Sequence, residues 1–175
     1  MSMFRFRLAA AVAFAGFGIG AAAAHELIVN RTADNQVSMT IIGDLPFDLP
    51  ESEFEGFPGF ADVDPGFVAL PVDDPGTGRF LLPATSDIEF VLLGSDPLMQ
   101  VWNDTGTAPM AIGETFSIGV PLFHTHPLWH SPDGVPEEIY AMQIQLRDRS
   151  GQLSDSEVFT LTFEPIPEPA SILLL

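Results

Sequence analysis

The chain predicts an all-β fold, a single-domain antiparallel β-sandwich of immunoglobulin-like or jelly-roll-like type, on three observations. Short apolar and β-branched runs alternate with polar residues at a period of two. Turn-forming residues punctuate them, with 15 glycines and 16 prolines in 175 residues. No stretch holds a helical period for more than a turn or two. Many short strands of this kind pack as two sheets face to face.

The elements follow in order. Glu26–Asn30 and Val37–Ile42 form a first strand pair around the polar turn Arg31–Gln36. Gly43–Pro65 is rich in acids, Pro, Gly and Phe, and reads as a long excursion without regular structure. Its Phe47, Phe54, Phe57 and Phe60 are expected to tuck onto the sandwich edge, since so much aromatic surface is seldom left in water. Ile88–Leu93 and Leu98–Asn103 flank Gly94-Ser95-Asp96-Pro97 as a hairpin. Thr115–Val120 sets Phe116, Ile118 and Val120 on one face. The clearest pair is last. Tyr140, Met142, Ile144 and Leu146 alternate with Ala141, Gln143, Gln145 and Arg147, giving one buried and one wet face. After the turn Asp148–Gln152, Phe159, Leu161 and Phe163 alternate with Val158, Thr160 and Thr162.

The N-terminus has the three parts of a secretory signal: Arg5 and Arg7, the apolar run Leu8–Gly20, and the small residues Ala22-Ala23-Ala24. The expected division is therefore a signal peptide over 1–24, a β-domain over 25–164 and a terminal segment over 165–175, with His25 as the first residue after cleavage. Loss of 1–24 removes two arginines and no acid, taking the formal charge from −18 to −20. That excess repels nucleic acid and anionic lipid and attracts cations. No cysteine is present, which excludes disulfides, thiolate metal sites and cysteine nucleophiles.

The terminal run Pro165-Ile166-Pro167-Glu168-Pro169-Ala170-Ser171-Ile172-Leu173-Leu174-Leu175 resembles the sorting signal of PEP-CTERM proteins, exported bacterial surface proteins handled by an exosortase. The likeness covers Pro167–Leu175. It departs from the family in that few apolar residues follow the motif and no basic cluster does, so this segment as it stands makes no stable membrane span. The resemblance implies export to the bacterial cell surface, with an exosortase as partner where the full signal is present.

Three of the four histidines fall within seven residues, as His124, His126 and His130. In extended backbone, residues two apart share a face, so His124 and His126 project together as a two-imidazole ligand pair. Pro121 and Pro127 bracket them and make the segment an edge strand or loop. Imidazole suits zinc, copper, iron or nickel rather than calcium or magnesium. The expected metal set is His25, His124, His126 and His130, with zinc as cofactor and copper as the alternative. A free α-amine on His25, chelating together with its own ring, would favour copper and would resemble the histidine brace of copper-dependent oxygenases and copper carriers. Glu26, Asp62, Asp64 and Asp133 are candidate carboxylate ligands.

A second likeness runs through the body of the chain. A histidine near the start of the domain, then Asp64-Pro65-Gly66-Phe67, Val101-Trp102-Asn103, His124-Thr125-His126 and Ser154-Asp155-Ser156, resembles surface-anchored domains of the Zur-repressed PEP-CTERM type. It implies a surface β-domain tied to zinc acquisition or storage, with no catalytic residues. No Gly-x-Ser-x-Gly elbow, His-Glu-x-x-His helix, phosphate-cradling loop or Rossmann fingerprint occurs, so an enzyme is not the expectation. Two other readings stand beside metal capture. One is a metal-dependent hydrolase working by zinc-bound hydroxide. The other is an envelope or matrix component without metal that binds protein or stacks sugar on Trp102, Trp129 or Tyr140.

Overall fold

The structure, a computed structural model, describes residues 25–103 and 105–167. The expected signal peptide and residues 168–175 of the sorting motif lie outside the described residues. The fold is an all-β sandwich with no helix among the described residues. Twelve strands run in order: β1 (Glu26–Arg31), β2 (Val37–Ile42), β3 (Phe47–Pro50), β4 (Phe60–Asp62), β5 (Gly66–Ala69), β6 (Ile88–Ser95), β7 (Gln100–Val101), β8 (Thr115–Gly119), β9 (His124–Thr125), β10 (Trp129–Ser131), β11 (Tyr140–Asp148) and β12 (Val158–Ile166). Among the described residues these twelve form three sheets, β2-β1-β5-β9, β4-β10-β7 and β3-β12-β11-β6-β8. Pairing is mostly antiparallel, but β1–β5 and β12–β3 are parallel.

The alternating runs behave as their period dictates. Tyr140, Met142, Ile144 and Leu146 are buried, and β11 pairs antiparallel with β12, whose Leu161 and Phe163 face the same core. β1 and β2 pair antiparallel as expected, burying Leu27, Val29, Val37 and Met39. An aromatic stack ties the three sheets together. Phe90 of β6 lies 5.4 Å from Phe67 of β5, 5.1 Å from Phe116 of β8 and 6.3 Å from Trp129 of β10, between ring centroids. Each such pair adds about 0.5–1.5 kcal/mol beyond the area it buries.

The structure differs from the sequence expectation at three places. Leu98–Asn103 does not return along β6 as a hairpin. β6 takes β11 and β8 as neighbours, while the short β7 pairs with β10. Val120 does not share the buried face of Phe116 and Ile118, because β8 ends at Gly119 and Val120 is 60% exposed. Gly43–Pro65 is not wholly irregular, since it contains β3 and β4. Phe47 and Phe60 are buried there, Phe57 packs edge-on against Trp102 at 4.6 Å, and Phe54 is exposed.

Asp148, buried at the end of β11, organises the turn into β12. Its Oδ1 accepts the N–H groups of Asp87 and Ser150 at 2.9 and 3.0 Å. Its Oδ2 accepts the Ser150 hydroxyl at 2.8 Å and the N–H groups of Gln152 and Leu153 at 3.1 and 3.2 Å. Burial works to raise its pKa, but these donors outweigh burial and hold it below the ordinary carboxylate value. The stabilisation is therefore present above the unfolded value, about pH 4, and is lost as pH falls through the lower folded value. Asp148→Ala strands several backbone donors and should cost about 2–4 kcal/mol in denaturant unfolding at neutral pH, with a smaller gap from the unsubstituted chain in acid.

Candidate metal site

The site begins with a register. β5 lies between β1 and β9, with Glu26 paired to Gly66, Ile28 and His124 both paired to Val68, and Phe67 paired to Thr125. His126 is one residue past β9 and continues that register opposite Gly66. Partners across strands share a face, so Glu26, Gly66 and His126 form one row on the outer side of the sheet, and Ile28, Val68 and His124 the next. Leu27, Val29 and Phe67 on the other face are fully buried.

Gly66 makes the row possible. A Cβ at residue 66 would stand 2.5 Å from Cε1, 2.6 Å from Nδ1 and 3.0 Å from Nε2 of His126. The imidazole occupies the space a side chain would need. Beneath it, the segment leading into β5 is pinned from two sides. Asp62 Oδ1 accepts the N–H groups of Val63 and Asp64 at 2.6 and 3.1 Å. The fully buried Trp129 donates its indole N–H to Pro65 O at 3.0 Å.

The two histidines two apart do meet. His126 Nδ1 lies 3.0 Å from Val63 O, and Asp64 Oδ1 stands 3.2 Å from the same nitrogen. A carbonyl oxygen only accepts, so Nδ1 carries the proton and the neutral ring presents a lone pair at Nε2. That Nε2 faces His124 Nε2 at 2.9 Å, with ring centroids 4.6 Å apart. Two zinc–nitrogen bonds of about 2.0–2.1 Å at a tetrahedral angle would separate their nitrogens by about 3.3 Å. A small swing of the exposed His124 ring gives that span. A histidine whose far nitrogen donates to a carbonyl or carboxylate is oriented as metal-bound imidazoles are. Burial raises the Asp62 carboxyl above its usual range, against the opposing pull of the Asp64 and Val63 N–H groups.

The other two histidines lie elsewhere. His130 is buried in the middle of β10, where Nε2 donates to Pro58 O at 2.8 Å and Nδ1 accepts from the Trp102 indole N–H at 3.3 Å. With Trp129 tied to Pro65 O through its indole N–H, His130 packs edge-on against Phe57 at 5.6 Å rather than turning back to His126. Both ring nitrogens of His130 are engaged, which leaves no lone pair for a metal. His25 shares the face of Leu27, and its ring packs on Gly43 and on Phe47, 5.4 Å between centroids. The strand alternation that aims Glu26 at the His126 row turns the His25 ring to the opposite side. Asp133 lies in the exposed turn after β10. Among the described residues, no group of three or more His, Asp or Glu side chains stands close enough to hold an ion.

The signal for His124 and His126 was their spacing. The signal for Gly66 was Asp64-Pro65-Gly66-Phe67, although spacing alone did not show what the glycine accommodates. Of the aromatic rings considered for sugar stacking, Trp129 and Tyr140 are buried and Trp102 is covered edge-on by Phe57. Among the described residues no helix is long and apolar enough to cross a membrane. No protein-family model, curated protein or solved structure matches the chain.

Gly66→Ala should force the His126 ring outward and cost about 1–3 kcal/mol, as overpacking does. Denaturant unfolding and a shift of the His126 ring resonances together test this. An unperturbed ring would mean that it does not need the bare glycine.

Proposed function

We propose that this is an exported cell-surface β-sandwich that captures or buffers a divalent transition metal, zinc ahead of copper, through His124 and His126. The observation that carries the reading is the pair of Nε2 atoms 2.9 Å apart, with His126 held by Val63 O and Asp64 on its opposite edge. Both imidazoles are exposed and one is held along its far edge, a combination suited to loading an ion from solution and releasing it. The strongly acidic surface concentrates cations around such a site. Export and exosortase sorting belong to the same proposal and rest on the terminal motifs. Two protein nitrogens leave coordination positions open to water, so exchange is the natural role.

Calorimetry on protein spanning the β-domain and prepared without chelators should show about one zinc per chain, and His124→Ala with His126→Ala should abolish it. His130→Ala should leave zinc stoichiometry intact while costing about 2–3 kcal/mol of stability through the unpaired Trp102 and Pro58 groups. Zinc lost on His130 substitution but kept on His124 substitution would reverse the assignment.

A further inference from the structure

We infer that an ion on the histidine pair draws Glu26 in as the third protein ligand, its side chain swinging across the bare surface of Gly66 from a position that completes no three-donor group beforehand. The inference rests on the two-histidine reading above and adds a specific donor from the far side of the sheet.

Three observations carry it. First, Glu26 and His126 occupy the same row on the same face, separated only by Gly66. Neighbouring strands lie about 4.8 Å apart, close to the length of an extended glutamate side chain. Any residue larger than glycine at 66 would wall the two off. Second, the Nδ1–Cε1–Nε2 edge of His126 lies over Gly66, with Nε2 3.0 Å from the position a Cβ would take. The lone-pair nitrogen is thus set above the strip that Glu26 borders. Third, Glu26 is half-buried, with apolar residues beside it on its own strand and on β2. Ile42 is its partner on β2, and Ile28 follows on its own strand. It joins none of the four ion pairs among the described residues. A carboxylate in that setting gains most from leaning toward the open glycine and a cation there.

The other carboxylates are less suited. Asp64 sits at Nδ1 of His126, on the edge away from the lone pair, and orients the ring instead. Asp62 Oδ1 is taken by two backbone N–H groups. Two neutral imidazoles and one carboxylate, with water in the fourth position, make a tetrahedral zinc shell with an exchangeable site.

Zinc titration of the β-domain, read by competition with a chromophoric chelator, tests the assignment. Glu26→Gln keeps the side-chain shape, and its melting temperature without zinc should match the unsubstituted protein. Its zinc affinity should fall at least about tenfold, and the rise in melting temperature on adding zinc should shrink with it. Glu26→Asp, one methylene shorter, should fail similarly. The cobalt(II) form should lose d–d absorption intensity in both variants, as a tetrahedral shell gives way to one richer in water. A Glu26→Gln affinity within about twofold of the unsubstituted protein, while His124→Ala removes binding, would overturn the role of Glu26 and leave the histidine pair standing. No zinc uptake by the unsubstituted protein would overturn both.

Discussion

An imidazole ring fills the space that a side chain at residue 66 would occupy, and the candidate site depends on that substitution of ring for side chain. The glycine is needed because β5 is sandwiched between β1 and β9, so anything projecting outward from residue 66 would stand between Glu26 and His126. The parallel pairing of β1 with β5 matters equally. It brings the start of the domain beside a segment some forty positions later and aligns Glu26 with the glycine rather than His25. A slip of one residue would exchange the faces of every side chain in β1.

That register is in turn secured by the core. Leu27, Val29 and Phe67 are fully buried on the inner face, and exposing any of them would cost about 1.5–3 kcal/mol. Phe67 stacks on Phe90, which also meets Phe116 and Trp129, so the strand carrying Gly66 is keyed to all three sheets. Trp129 serves twice, packing in this stack and fixing Pro65 through its indole N–H. The rigid half of the site, His126 with Val63 and Asp64, is thereby joined to the most buried part of the molecule. The other half, His124, lies exposed on a two-residue edge strand.

Where a run was long and alternated cleanly, the fold was legible in the sequence. β11 and β12 show it best, because nine-residue strands with one buried face leave a period that turns and prolines do not obscure. β9 was marked by its bracketing prolines as an edge strand or loop, but β3, β4, β5 and β10 were not legible. Each of these is three or four residues long, too short to show a period, and each owes its existence to partners distant in sequence. The candidate site divides in the same way. The meeting of His124 and His126 follows from local geometry alone. The diversion of His130 into bonds with Pro58 and Trp102, and the turning of His25 onto Phe47, depend on pairings that no local pattern displays. Alternation in β1 was visible all along. It set Glu26 and His25 on opposite faces, but which face meets the histidine pair came only with the β1–β5 register.

The most direct measurement is a crystal structure of the zinc-soaked β-domain with anomalous scattering collected on both sides of the zinc edge. One anomalous peak is expected on the outer face over Gly66, about 2.0–2.1 Å from Nε2 of both His124 and His126. An ion bound instead at His25 or in the acidic loops, with the two Nε2 atoms still joined only to each other, would contradict it.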